Sequence, residues 1–199
     1  MPRPVPKRPW ALALLSLLAA CGNPAEDAAT GQTNPANRKP GYFDMKGLLD
    51  AQVALLSQQQ PAVEKQVRLR SGQTETTRVT KIDWSKELQI FYQADINKPA
   101  LRGAYSTATV GGRQQYTRKP GTDAPVASLT VGILSSQPKA APETLTAVVQ
   151  QDNALFYSEK KLLLFLRDGQ LTEYEVRGVQ KLAFFDTVRY SVRTRVNHR

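Results

Sequence analysis

The sequence predicts an α+β fold in which two N-terminal helices pack on a curved antiparallel β-meander sheet. Apolar residues recur at helical spacing from residue 45 to residue 56, and a second helical stripe follows Asp83. After residue 100 the pattern changes to short segments of alternating apolar and polar residues, separated by turn residues. Because the helical stripes come first and most strands follow as a run, the pattern favours an α+β class over alternating helices and strands.

Both predicted helices have recognisable ends. The first helix begins at Asp44, whose carboxylate can accept hydrogen bonds from the free amide groups of the first turn. It ends before Pro61, because proline disfavours the α conformation in the residue that precedes it. The second helix begins at Asp83 and ends near Asn97, ahead of Pro99.

Hairpins are predicted where turn residues separate alternating segments. Residues 62–70 and 74–80 form the first hairpin, between the two helices. Gly111–Gly112 predicts a tight turn, and Asp168–Gly169 is the strongest hairpin motif in the chain. These turns indicate that neighbouring strands are antiparallel.

The last part of the sheet is predicted from residue 154 onward. Ser158–Lys161 is polar and predicts a turn between two short strands. Gly178 predicts a bulge, since an isolated glycine interrupts an alternating segment. The segments 179–185 and 188–196 then predict the final two strands.

The amino end has the properties of a targeting segment. Residues 1–9 carry three basic side chains and no acid, and residues 10–20 are eleven uncharged residues with a single hydroxyl. A transmembrane helix needs about 20 apolar residues, so this stretch is too short to span a bilayer and is typical of a signal peptide. The chain's one cysteine, Cys21, follows directly.

Leu18-Ala19-Ala20-Cys21 resembles the lipobox of bacterial lipoproteins. The resemblance implies cleavage between Ala20 and Cys21, a diacylglycerol thioether on Cys21 and an acyl chain such as palmitate on the new amino group. Two or three acyl chains anchor a protein firmly where one would not. The expected location is a membrane, most consistently the outer membrane, facing the periplasm or the cell surface. The alternative is a plain secretory signal with an incidental cysteine.

Three segments follow from these observations. Residues 1–20 are the predicted signal peptide, residues 21–40 a lipidated tether and residues 41–199 one α+β domain. Residues 22–40 contain no large apolar side chain, so they cannot offset the entropy lost on ordering. A flexible chain of this length spans on the order of 25 Å.

The chain is basic, with 27 Lys+Arg against 17 Asp+Glu. Removal of residues 1–20 takes away three of the basic residues and no acid, and leaves the balance positive. In an exported protein this charge indicates an anionic neighbourhood such as lipid headgroups or acidic polymers. The sequence contains no arginine-glycine run or aromatic RNA-binding motif, so we expect no nucleic-acid partner.

Catalytic and metal-binding motifs are poorly represented. One His and one Cys cannot build a His/Cys zinc site or an internal disulfide. Ser136 and Ser158 each begin a Ser-x-x-Lys sequence, the spacing found in penicillin-recognising serine enzymes, but neither stands at a predicted helix start. We therefore expect no catalytic residue, metal or cofactor.

The final predicted strand carries the candidate binding residues. Arg189, Arg193 and Arg195 share one face of this strand, and Glu173 and Glu175 share a face of the preceding region. One interpretation is cross-strand charge pairing, worth a few tenths of a kcal/mol per pair. The other is an anion-binding surface for lipid headgroups or for an acidic envelope protein.

The opposite face of the sheet is predicted to be broadly apolar. If the helices leave it partly open, the architecture is similar to the open-barrel lipoprotein carriers, which hold acyl chains. The blocks Asp83–Leu88 and Asp95–Pro99 resemble those of uncharacterised bacterial envelope lipoproteins. The leading hypothesis is a non-enzymatic, lipid-anchored envelope protein with a binding or scaffolding role. A carrier of acyl chains or another hydrophobic ligand is the alternative, and a serine-dependent hydrolase or transpeptidase the third.

Overall fold

The computed structural model describes residues 41–68, 72–132 and 142–198. The predicted signal peptide, the cleavage site between Ala20 and Cys21, the lipidated Cys21 and the tether lie outside the described residues. The chain divides into two units, Met1–Arg38 and Lys39–Arg199, and the described residues belong to the second.

The described residues of this unit form one α-helix of 15 residues, several short helical turns and nine strands. The α-helices are α1 (Met45–Gln59) and α2 (Trp84–Glu87), and 3₁₀ turns occupy Gln89–Ala94 and Pro99–Leu101. The strands are β1 (Ala62–Arg68), β2 (Thr74–Val79), β3 (Tyr105–Val110), β4 (Arg113–Arg118), β5 (Val126–Gly132), β6 (Thr144–Asn153), β7 (Phe156–Arg167), β8 (Gln170–Leu182) and β9 (Val188–Asn197).

All nine strands form one open antiparallel sheet in the order β2-β1-β9-β8-β7-β6-β5-β4-β3. Strands β3 to β9 follow each other as a meander, as the sequence predicts. The remaining hairpin, β1 and β2, joins this meander through antiparallel pairing of β1 with β9. The α+β class is therefore confirmed, and β2 and β3 form the two edges.

Helix α1 has the predicted bounds. The Asp44 carboxylate accepts a hydrogen bond from the Gly47 amide at 2.8 Å. The helix ends at Gln60, which adopts a left-handed conformation with φ 45° immediately before Pro61. The local capping rules thus fixed both ends of this helix.

The second predicted helix is only partly α-helical. Asp83 caps it as expected, because its carboxylate accepts from the Lys86 amide at 3.3 Å. After Glu87 the chain tightens into the 3₁₀ turns of Gln89–Ala94. Residues three apart align on one side of a 3₁₀ helix, and Leu88, Phe91 and Ala94 are all buried. The prediction of two N-terminal helices is therefore not confirmed.

Two turn and bulge predictions are wrong. Ser158–Lys161 lies inside the 12-residue strand β7, and the preceding turn falls earlier, where Asn153 Oδ1 accepts from the Leu155 amide at 3.0 Å. Gly178 pairs in regular register with Tyr190 and forms no bulge. A Cβ at Gly178 would lie 2.1 Å from Tyr190 Cζ, so the glycine makes room for the tyrosine ring.

The hydrophobic core lies between the helices and one face of the sheet. On the sheet side, the predicted apolar surface is buried: Leu129, Val131, Leu145, Ala147, Val149, Leu162, Leu164 and Leu166. On the helix side the buried residues include Met45, Leu49, Leu56, Trp84, Leu88 and Phe91. The core seen among the described residues is built within Lys39–Arg199, so we expect this unit to fold without residues 1–38.

The blocks Asp83–Leu88 and Asp95–Pro99 hold the helical layer in place. Glu87 accepts from Tyr174 Oη at 2.8 Å and lies 2.8 Å from Lys65 Nζ. Asn97 does not cap a helix end but holds the start of the unit, because its Nδ2 donates to the Phe43 carbonyl at 2.8 Å. Its Oδ1 accepts from the Tyr42 amide at 3.0 Å.

Candidate functional site

The three predicted arginines lie on β9, on the face of the sheet opposite the core. Arg195 stands opposite Glu173 and Arg193 opposite Glu175 in the β8–β9 register. The alternation that the sequence predicts therefore brings acids and bases together across two neighbouring strands.

Glu173 is the centre of the cross-strand pairing. Its carboxylate accepts from Arg193 Nε at 2.7 Å and from Arg195 Nε at 3.1 Å. The Glu173 side chain is mostly buried, whereas both arginine side chains are about half exposed. Charge pairing is thus present, and two guanidinium groups share one carboxylate.

Glu175 makes a second, more buried ion pair. It is 5% exposed and accepts from Arg177 at 2.6 Å and 2.9 Å and from Ser191 Oγ at 3.0 Å. These bonds stabilise the charged form, so the hydrogen bond from Arg177, and then that from Ser191, lowers the pKa of Glu175. Sequence reasoning missed Arg177, although its position two residues after Glu175 places it on the same strand face.

Arg189 belongs to a different part of the surface. Strand β1 ends at Arg68 opposite Ser191, so the first residues of β9 have no paired residue in β1. A pocket of about 350 Å³ lies there, and Arg68, Arg177 and Arg189 line it together with Val179 and other residues of β8 and β9. A second pocket of about 470 Å³ adjoins it, lined by Arg68, Arg177 and Arg193 among others.

We call these five residues from three strands the arginine surface: Arg68, Arg177, Arg189, Arg193 and Arg195. Three glutamates face them from the same strands: Glu64, Glu173 and Glu175. Within the described ranges, the carboxylates of Glu173 and Glu175 are bound by Arg177, Arg193 and Arg195, and by neither Arg68 nor Arg189. The arginine surface therefore keeps a net positive charge beside the pocket.

A second feature was not predicted from the sequence. The turn between β8 and β9 and the turn between β6 and β7 lie side by side, because the Ala183 amide donates to the Leu155 carbonyl at 2.9 Å. Together they expose large apolar side chains, which we call the apolar tip: Phe184 (101% exposed), Phe185 (71%), Leu155 (68%), Leu182 (51%) and Val188 (43%). The sequence pattern placed Phe184 and Phe185 in a strand, whereas the structure places both in the turn.

A further cleft, of about 830 Å³, is polar and carries charges of both signs. It lies between the β4–β5 loop and the end of β6, and its lining includes Arg118, Lys119, Asp123 and Asp152. Arg118 Nη1 already donates to the Ala124 carbonyl at 2.6 Å. Its mixed charge gives this cleft less preference for an anion than the arginine surface has.

The described Ser-x-x-Lys motif lies inside a strand and not at a helix start. Ser158 is buried on the core face of β7, and Lys161, the lysine of the motif, lies on the opposite face. Lys160 shares the face of Ser158 and lines a pocket of about 240 Å³ with it. Ser136 lies outside the described residues. No group of three or more His, Cys, Asp or Glu side chains among the described residues could hold a metal ion.

His198, the one histidine of the sequence, contacts the backbone of β8. Its Nε2 lies 2.8 Å from the Leu171 carbonyl oxygen. Among the described residues, none of the helices has the length and apolar character needed to cross a bilayer. The chain matches no protein-family model, and no curated protein matches it.

Proposed function

We propose that the protein is a non-enzymatic lipoprotein of the bacterial cell envelope, exported and anchored through acyl chains on Cys21. Its folded unit, in which the helices pack on a curved sheet, binds anionic groups at the envelope through the arginine surface. The anchor is argued from Leu18-Ala19-Ala20-Cys21, and the binding role from the geometry of the described residues. Anionic lipid headgroups are the ligands this surface fits best.

The convergence of Arg68, Arg177 and Arg189 on one pocket carries this proposal. The three side chains come from three different strands and line about 350 Å³ of space. Guanidinium groups bind phosphate oxygens in a bidentate manner, so arginines that converge from several directions suit a phosphorylated headgroup. Arg177 also binds Glu175, which fixes one side of the pocket.

The alternative functions receive less support. An acyl-chain carrier would need an open apolar groove on the sheet face beneath the helices. The residues that would line it, such as Leu129, Val131 and Leu145, are buried against the helical layer. A serine enzyme of the Ser-x-x-Lys type would need the lysine of the motif beside its nucleophile, and β7 places Ser158 and Lys161 on opposite faces.

The anchor is tested by labelling. Growing cells that express the chain are given radioactive palmitate, and the Cys21→Ser variant serves as the control. We expect label and a shortened product only when the thiol is present, since only a thiol forms the thioether. Equal incorporation in both chains, or an unprocessed product from the unsubstituted chain, would contradict the anchor.

The arginine surface is tested by co-sedimentation of residues 39–199 with vesicles. Phosphatidylglycerol vesicles are compared with phosphatidylcholine vesicles for the double variant Arg68→Gln, Arg189→Gln. Each basic residue near an anionic bilayer contributes about 1 kcal/mol, so the loss of two weakens binding to the anionic vesicles by roughly 30-fold. Binding falls with added salt, because exposed charges are screened.

A matched control separates the arginine surface from net charge alone. Arg102 and Arg113 are exposed and lie outside the arginine surface. The double variant Arg102→Gln, Arg113→Gln removes the same charge, and we expect it to retain most of the binding. If both double variants lose affinity equally, the protein binds through its overall charge and the proposed surface is wrong.

A further inference from the structure

We propose that the apolar tip inserts at the boundary between headgroups and acyl chains of an anionic lipid bilayer, so that the folded unit docks end-on. The inference deepens the proposed function, on which it rests for the presence of a membrane beside the domain. It assigns a second, apolar contact in addition to the arginine surface and the acyl anchor.

The first observation is the extent of apolar exposure. Five large apolar side chains stand on two turns that a backbone hydrogen bond joins and on the strand ends beside them, and the ring of Phe184 is fully exposed. Soluble proteins seldom display apolar groups of this kind without a function at that position. The same unit has a separate buried core, to which these residues do not belong.

The second observation is the backbone at Phe184. The Phe185 amide donates to the Leu182 carbonyl at 3.2 Å, which makes Phe184 the third residue of a tight turn. Its φ is 68°, in the left-handed region that favours glycine or asparagine at this turn position. A bulky aromatic residue is strained there, and full exposure gives its ring no packing in return. A contact outside the domain would provide that missing packing.

The third observation is the charge around the tip. Lys181 lies on the strand that leads into the turn and Arg189 on the strand that leaves it. Two acids accompany them, Asp186 in the turn and Asp152 near the end of β6. Apolar side chains beside basic residues are typical of segments that lie in a membrane interface and contact lipids. A second copy of the chain is the competing partner, and the sedimentation measurement below distinguishes it.

The fourth observation is where the predicted tether joins the fold. Tyr42 Oη accepts from the amide of Tyr105, the first residue of β3, at 3.3 Å. In this antiparallel sheet β3 begins at the end where β6 and β8 finish, which is also the end that carries the apolar tip. Residue 42 and the apolar tip therefore lie at the same end of the sheet, so an anchored chain can present the tip to the membrane that holds it.

The first test uses residues 39–199, which lack the anchor, and measures partition into phosphatidylglycerol and phosphatidylcholine vesicles. Replacement of Phe184 and Phe185 by serine removes most of the apolar area, and we expect partition into both vesicle types to fall about tenfold for each phenylalanine. Val110→Ser is the matched control. Val110 is also exposed but lies at the turn between β3 and β4, at the opposite end of the sheet, and its replacement leaves partition unchanged.

The second test reports insertion directly. Phe184→Trp and Val110→Trp variants are mixed with vesicles that contain brominated acyl chains, and the signal of the buried Trp84 is subtracted with the unsubstituted protein. We expect a blue shift and quenching for the tryptophan at position 184 and neither for that at position 110. Bound protein whose tryptophan at position 184 is neither shifted nor quenched would overturn the inference.

The outcomes also separate this inference from the proposed function. If only the Arg68→Gln, Arg189→Gln variant loses binding while the Phe184→Ser, Phe185→Ser variant keeps it, the arginine surface stands and the inserted tip is wrong. If the phenylalanine variant instead converts a dimer to a monomer in sedimentation without affecting vesicle binding, the tip is a contact between copies of the chain and the inference also fails.

Discussion

Glu175 is a carboxylate buried in a sheet surface, and its charge depends on two neighbours. Arg177 and Ser191 supply three hydrogen bonds to its oxygens at 2.6–3.0 Å. Since its side chain is almost inaccessible to water, the arginine is its main source of stabilisation. Arg177 therefore stabilises the fold in addition to lining the pocket of the arginine surface.

The lowered pKa of Glu175 makes the stability of the domain pH-dependent. Above the unfolded value of about 4.5 the pair contributes in full, and the contribution is lost as pH falls through the lower folded pKa. The free energy of unfolding falls as the pH is lowered from about 7 to about 3. We expect this fall, measured by urea denaturation, to be smaller in Glu175→Gln than in the unsubstituted protein. Arg177→Gln should reduce stability at neutral pH, because it leaves a buried charge without its partner. An unchanged pH dependence in Glu175→Gln would show that other acids carry it.

At the scale of elements, Gln52 connects α1 to the β7–β8 hairpin. Its Nε2 donates to the Gly169 carbonyl at 2.9 Å, and its Oε1 accepts from the Leu171 amide at 2.8 Å. One buried amide thus satisfies both backbone groups beside the turn. The hairpin predicted from Asp168–Gly169 is thereby held against the helix.

Replacement of Gln52 by leucine tests this connection. The change removes both side-chain hydrogen bonds and leaves the Leu171 amide and the Gly169 carbonyl without this partner. We expect this to lower the free energy of unfolding by about 2 kcal/mol. Gln58→Leu, on an exposed position of the same helix, is the control and should change stability by less than about 0.5 kcal/mol. Equal effects of the two substitutions in denaturant unfolding would contradict the role assigned to Gln52.

Local chemistry determined the elements that the sequence predicted correctly. Asp44, Pro61 and Asp168–Gly169 act within a few residues of themselves, so their effects can be recognised without the rest of the fold. Ser158–Lys161 was predicted as a turn because it is polar. In the sheet those residues find partners on both faces: Glu159 accepts from Gln150 Nε2 at 2.9 Å, and Lys160 Nζ donates to Gln93 at 3.2 Å.

In the candidate site, too, contacts between neighbouring strands could be predicted from the sequence and contacts between distant strands could not. Cross-strand pairing of the β9 arginines with Glu173 and Glu175 was one of the two interpretations of the sequence, because consecutive strands alternate in step, and the structure shows it for Arg193 and Arg195. Arg68 was not predicted to belong to this site. Its strand, β1, comes from the other end of the domain, and only the fold places it beside β9. The apolar tip was missed because Phe184 and Phe185 continue an apolar stretch, and nothing in that pattern shows where the strand ends.

At the scale of the whole molecule, the unit Lys39–Arg199 contains its own core. We expect a chain of residues 39–199 and a chain of residues 22–199, which lacks the cysteine and its acyl chains, to have thermal midpoints within about 2 °C of each other in calorimetry. The reason is that residues 22–38 contribute no apolar side chain larger than alanine or proline. A large drop in the midpoint on removal of residues 22–38 would show that this segment packs on the domain.

The pairing of β1 with β9 has a consequence for how the sheet folds. Strand β1 pairs on one side with β2 and on the other with β9, Val188–Asn197, which lies far along the chain. Contacts between such distant segments form late and slowly. Until β9 is in place, one edge of the β1–β2 hairpin is unpaired, and a partly folded chain offers that edge to chaperones and proteases. Docking of this hairpin onto β9 is therefore the step that completes the sheet.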